Sequence, residues 1–408
     1  MTDTIRPEDL LFNPFEPGFT DDPYPVYRRL RAAEPVHEHP FGFWVVSTHR
    51  EVSELLKSGL SVEERHLAGG PIKDQYEQLA DFDDRSILNY SMLDRDPPDH
   101  TRLRSLVTKV FTGRAIAGLE PEIVALVDES LDRIGAAGRV DLVEALAFPL
   151  PFTVISRMLG MPPTDHNRIR ELSGTLVRSL EVVADEETMR AITRASRELA
   201  ELTRELIAWK RSNPADDLLT ALIAAEHEGQ VLSDDELIAQ VVLLYVAGHE
   251  TTVNLIANGV VALLRNPDQL ARLRAEPDLT ANAIEEFLRY DSPVQQSRRI
   301  TTEPFTLGGK VIPAGAFVIA GLASANRDEA FFGPDAEALR LDRAQARHHV
   351  SFGAGPHHCL GAALARLEGR VAIGRLVRRF PNLAFDGAVE WNGRANLRGP
   401  KTLPIATG

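Results

Sequence analysis

The one cysteine of the chain, Cys359, lies in Phe352-Gly353-Ala354-Gly355-Pro356-His357-His358-Cys359-Leu360-Gly361, at or next to the start of a helical run. A single cysteine excludes an intramolecular disulfide and any site that needs two cysteine ligands. The glycines let the backbone turn tightly. Backbone N–H groups and the positive end of the following helix would stabilise a thiolate there. Three chemistries suit such a thiol. It can be a buried structural cysteine, a nucleophile with His357 or His358 as base, or an axial thiolate ligand to a haem iron. On the loop alone the structural reading stands first.

A second group of reactive types is Ala247-Gly248-His249-Glu250-Thr251-Thr252. Glycine, an acid and two threonines are poor choices for the middle of a buried helix, and a local failure of the folding rules is what a functional site can look like. An acid beside a hydroxyl can relay protons into an apolar cavity. Thr251 can also bond back to the Ala247 carbonyl, and that bond alone could satisfy it. A third group is Glu286-Phe287-Leu288-Arg289, whose ends share one helix face and can pair. The alternative there is an exposed salt bridge of little worth.

The elements that must position these groups are mostly helices. Asp22–Arg31, Ile123–Ile134, Val143–Leu159, Glu187–Trp209, Ser233–Leu264, Thr280–Tyr290 and Cys359–Phe380 have apolar residues at three- and four-residue spacing. Strand signals are short: Gly42–Ser47, Pro304–Leu307 and Phe317–Gly321, with Gly308-Gly309 as a hairpin turn and Pro313-Ala314-Gly315 as a second turn. The central helix opens on a capping box, Ser233 to Glu236, and stops at Asn266-Pro267, a span of about 48 Å. Its Val241–Ala247 stretch is apolar all round and should be buried. The chain has 408 residues and a formal charge of −14, which argues against a nucleic-acid surface. Met1–Asp9 lacks the apolar run of a secretory signal, and the apolar stretch Val241–Gly248 is far short of the roughly 20 residues of a membrane span. These features predict a reduced, cytoplasmic, mainly α chain with a small β region, folded as a single domain over residues 1–408.

Phe-Gly-x-Gly-x-His-x-Cys-x-Gly at Phe352–Gly361 resembles the haem-binding signature of the cytochrome P450 superfamily. The central motif is similar to the family's oxygen-activating segment, with Glu250 and Thr251 as its acid–alcohol pair and Ala247 and Gly248 leaving room for dioxygen. Glu286 and Arg289 match its Glu-x-x-Arg. The resemblance implies one fold with a haem b (iron protoporphyrin IX) between the central helix and the cysteine-loop helix, and Cys359 on the iron. It implies propionate partners at His100 and Arg104, at Arg299 (with Arg298 competing) and at His357. The family's third partner of the ion pair comes from the segment after Asn326-Arg327-Asp328, where Leu339 replaces an aromatic and no residue is assigned.

The resemblance further implies a monooxygenase that inserts an oxygen atom from dioxygen into a C–H bond. Electrons would come from a separate ferredoxin and ferredoxin reductase; Arg102, Lys109, Arg366 and Arg370, which flank the haem-contacting elements, are the candidates for a basic patch that receives it, with ordinary helix-surface charge as the alternative. Epoxidation, oxidative coupling, a peroxide-driven reaction or non-catalytic haem binding are the alternatives. The substrate pocket falls on the loop before Ser91, the lid Asp165–Trp209, Leu243, Leu244, Ala247, Val294, Gln295, Gln296, Ser297 and Leu397. The two glutamines suit a mid-sized, partly oxygenated apolar molecule, as in natural-product tailoring. A monomer is expected.

Overall fold

The computed structural model describes residues 12–70, 72–74, 77, 87–162, 166–181, 185–227 and 229–408. Met1–Asp9, most of the loop before Ser91 and the first residue of the expected lid, Asp165, lie outside the described residues.

The central helix spans Asp234–Arg265 and begins on the expected capping box. Glu236 N–H donates to Ser233 Oγ (3.3 Å), and Ser233 N–H donates to Glu236 Oε2 (2.9 Å). It packs against Pro149–Met158, Glu186–Ser212, Thr280–Tyr290 and the cysteine helix Ala362–Arg379, at the heart of the largest hydrophobic cluster. Each fully buried Leu, Val or Ile there contributes roughly 1.5–3 kcal/mol. Burial of Val241–Ala247 is not complete all round. Val241, Val242, Leu244, Tyr245 and Val246 are buried, but Leu243 is half-buried and Ala247 exposed. With half-buried Thr251 these two form an i, i+4 stripe that is less buried than the rest of the stretch. The helix stays continuously α-helical through this stretch, despite the threonine back-bonds.

Elsewhere the expected elements hold with shifted ends. The cysteine helix begins at Ala362 rather than Cys359. Val143–Leu159 is split into a π-turn, Val143–Ala147, and a helix from Pro149, because Pro149 and Pro151 have no N–H to continue the ladder. One four-stranded sheet runs Val36–Glu38, Trp44–Val46, Phe317–Ala320, Ser297–Ile300 in spatial order. Its last pairing sets Arg298 opposite Ile319 and Arg299 opposite Val318. The Phe305–Leu307 and Lys310–Ile312 strands form the hairpin expected at Gly308-Gly309. No helix among the described residues is long and apolar enough to cross a membrane.

Candidate active site

The cysteine loop is built by its glycines. Gly353 and Gly355 have φ of 67° and 70°, and a Cβ on Gly355 would stand 2.6 Å from the Leu56 carbonyl oxygen. The loop therefore seats on the end of helix His49–Lys57 only without side chains there. Cys359 N–H donates to the Phe352 carbonyl at 2.8 Å and closes it. Cys359 presents accessible surface, yet enough protein surrounds Sγ that burial pushes its thiol up. The Gly361 and Ala362 N–H groups and the charges of Arg104 and Arg366 oppose that push without cancelling it. The donors expected from the sequence are present, but burial outweighs them. His357 is held down to about 3, first by burial and then by His100 and Arg299; burial lowers His358 too. Burial disfavours both halves of a thiolate–imidazolium pair here, which argues against the nucleophile reading.

Cations converge beside the loop. The rings of His100 and His357 lie 4.1 Å apart, and His100 Nε2 is buried without a partner. Arg299 is 3% exposed, and its guanidinium meets Ser297 Oγ (3.2 Å) and the Arg298 carbonyl (2.6 Å), with no carboxylate among its described ion pairs. Burial pushes it down to about 10; Asp96 opposes this and Arg298 adds to it. Asp96 itself accepts from Val62 N–H at 3.0 Å and from Ser61 Oγ. Arg298, on the other face of the strand, pairs with Glu64 and Asp94 (2.7 Å). Arg104 donates to the His358 carbonyl at 2.6 Å. A buried guanidinium without its own carboxylate, beside an orphaned imidazole nitrogen, is a receptor for buried anionic oxygens. Two propionates and a thiolate-bound iron fit this donor set.

On the central helix, Thr251 Oγ1 donates to the Ala247 carbonyl at 2.9 Å, as expected. The structure adds a partner the sequence did not reveal: Arg394 holds Glu250 at 2.5 Å. Arg394 sits in an irregular C-terminal segment with no motif to mark it.

The Glu286–Arg289 pair is not a surface bridge. Both side chains are fully buried and joined by two bonds of 2.7 Å, and Arg289 also donates to the carbonyls of Asn326, Ala336 and Ala338. The unassigned third partner is Arg343, whose Nε lies 3.3 Å from Glu286 Oε1. From Asn326 the network reaches the cysteine loop. Its Nδ2 donates to Ser351 Oγ (2.7 Å), and its Oδ1 accepts from Val350 N–H (2.7 Å).

Not every expected pocket residue faces one space. Leu397 bridges to Val294 on neighbouring backbone, whereas Leu244 is buried in the core. Gln295 is fully buried and donates its amide to the Ser292 carbonyl at 2.6 Å. Gln296 lines a small separate cavity with Phe12, Tyr27 and Ile319. The Gln295 amide is thus held by Ser292 while its Oε1 is buried without a partner, and Gln296 turns to a separate cavity, so the two glutamines do not line one polar surface as expected. Of the candidates for a basic patch, Arg102 is paired with Glu236, Arg366 with Glu285 (2.7 Å) and Arg370 with Glu120 (2.8 Å), while Lys109 is exposed.

Fold and donor set together define a haem-thiolate protein. The family model for cytochrome P450 matches residues 37–386. Cytochrome P450 107B1 of Saccharopolyspora erythraea is 42% identical, over 97% of this chain and 97% of the relative. Cytochrome P450 monooxygenase PikC of Streptomyces venezuelae is 40% identical, over 98% and 95%. The solved structure of the Bacillus subtilis bacillaene polyketide synthase cytochrome P450 PksS superposes with a TM-score of 0.88 at 35% identity, covering 98% of this chain and all of that one. The chain belongs to the cytochrome P450 family and is a P450 monooxygenase.

Proposed function

We propose that the chain, folded as one domain, binds haem b with Cys359 on the iron and oxidises a C–H bond of a mid-sized apolar natural product with dioxygen. The observation that carries this reading is the Cys359 loop beside a buried Arg299 that lacks its own carboxylate. His100, Arg104, Arg299 and His357 hold the propionates. The haem, when bound, supplies oxygen activation. The protein's residues position the substrate, exclude water and handle protons. Glu250 takes protons from the solvent side, and Thr251 passes its hydroxyl proton onward once it leaves the Ala247 carbonyl. Leu243, Ala247, Val294 and Leu397 give the substrate an apolar wall. Tailoring of a polyketide-like molecule is supported by the name of one relative, the polyketide biosynthesis cytochrome P450 PksS. Electrons come from a ferredoxin and its reductase, since one cysteine cannot ligate an iron–sulfur cluster within these residues.

Two experiments test this reading. Groups that move protons in a transition state contribute typically 10²–10⁴-fold, and water replaces part of that, so Thr251→Ala should cut product per electron consumed by about tenfold. Product and peroxide measured against reductant consumption check it; unchanged coupling would remove Thr251 from the reading. Arg299→Ala should speed haem loss by about tenfold or more, the equivalent of 1.4 kcal/mol or more. Haem transfer to a scavenger protein reads this directly, and an unaltered rate would take the propionate role from Arg299.

A further inference from the structure

The segment Arg394–Leu397 is tied on two sides. On one side it lies on the body of the molecule: Gln295 N–H donates to the Asn396 carbonyl (2.8 Å), Gln296 N–H donates to Asn396 Oδ1 (3.2 Å), and Asn392 Nδ2 donates to the Leu397 carbonyl (2.7 Å). On the other it is held by the segment of helix His166–Leu176 and the turn after it. Glu181 accepts three consecutive backbone N–H bonds, from Ala395 (3.0 Å), Asn396 (2.9 Å) and Leu397 (2.9 Å), and Asn396 Nδ2 donates to the Leu180 carbonyl (3.1 Å). Successive N–H groups turned onto one carboxylate form an anion nest of charge-assisted bonds. At the head of the segment Arg394 bridges two elements: NH1 holds Glu250 of the central helix at 2.5 Å, and NH2 reaches the Gly174 carbonyl at 3.4 Å. Both partners of the Arg394–Glu250 pair are largely buried, at 20% and 17% side-chain exposure, so this is not an ordinary surface bridge.

We propose that Arg394–Leu397 is a strap through which residues 166–181 control the acid Glu250, with Glu181 and Arg394 as positioning residues. When 166–181 is seated, Glu181 fixes the strap and the strap fixes Arg394 on Glu250. When 166–181 lifts, three N–H groups lose their acceptor, Arg394 loses Gly174, and Glu250 is no longer oriented. Proton handling is thereby confined to the covered site. The proposal rests on the proton role of Glu250 given above. Linkage is reciprocal, so changes at the Glu250 end must be felt in 166–181.

Hydrogen exchange on the haem-loaded enzyme tests this without turnover. Glu181→Gln and Glu250→Gln should each speed amide exchange in 166–181 by about threefold or more, and exchange at 395–397 should rise about tenfold in Glu181→Gln. Because both substitutions act through one strap, the double variant should exchange no faster than the quicker single variant. In turnover, Glu181→Gln and Arg394→Gln should each lower product per electron by about threefold, again without adding. Additive exchange effects would overturn the strap, as would exchange in 166–181 unmoved by Glu250→Gln, or full coupling in Glu181→Gln while Glu250→Gln is uncoupled. If the exchange cycle comes out as expected but Glu250→Gln stays fully coupled, it is the proton role of Glu250 that fails; the strap then stands as a conformational linkage without control of the chemistry.

Discussion

Replacing Cys359 by alanine is expected to abolish the thiolate-type Soret band of the reduced, carbonyl-bound protein and with it all oxygen-dependent turnover. The wild-type protein should be red and show that band. The argument starts from electrostatics. Burial pushes the thiol up, although Gly361 and Ala362 N–H groups and two arginines favour the thiolate. The loop thus supplies donors and positive charge that favour a thiolate, and iron, when the haem is bound, would add to them. The competing roles make different predictions. A structural cysteine with accessible surface would cost at most about 1 kcal/mol on truncation and leave the spectrum intact. A cysteine nucleophile would give a colourless wild-type protein. Absorption spectra of wild type and Cys359→Ala, with total iron measured on the same samples, separate all three; a colourless wild type or an unchanged variant spectrum sinks the assignment.

The parts of this molecule legible in the sequence are those where one residue type has one physical use. The capping box announced the start of the central helix, Asn266-Pro267 its end, and the glycines of the cysteine loop the turns that Gly353 and Gly355 make. Strand alternation separated Arg299 from Arg298, and the structure puts the first in the interior and the second on Glu64 and Asp94. What stayed hidden depends on partners far apart in the chain. Arg394 and Glu250 are 144 residues apart, and Glu181 meets the strap more than 200 residues on. Neither segment has periodicity or a motif, because irregular backbone is set by whatever accepts its N–H groups. Gln295 and Gln296 misled for a related reason. Their polarity was visible, but whether a side chain meets a substrate or a nearby carbonyl is decided by backbone geometry. The arginines offered for a basic patch make a similar point: charge is read from sequence, whereas pairing is read from space.

The largest loss of stability is expected from Glu286→Ala. Arg289 is fully buried, and burial lowers its pKa although Glu286 opposes this. Arg343, 3% exposed, shares the same carboxylate, which also accepts the Arg340 N–H at 2.9 Å. Alanine would leave the buried Arg289 without an anion and facing Arg343, which keeps only the half-exposed Asp335 (2.9 Å). Removing one partner of a buried pair costs about 3–5 kcal/mol, most of it from the stranded charge. An exposed pair such as Glu129–Arg133, with both side chains more than half exposed, should cost about 0.5 kcal/mol or less. Denaturant unfolding of the haem-loaded protein compares the two. Replacing Glu286, Arg289 and Arg343 together by apolar residues distinguishes stranded charge from lost packing: it should recover much of the loss, since no ion is left without a partner. Because Asn326 joins Arg289 to Ser351 and Val350, the same single substitution should also loosen the cysteine loop, seen as faster haem loss before global unfolding. A cost for Glu286→Ala no greater than for Glu129→Ala would show that the buried network is not what holds the loop in place.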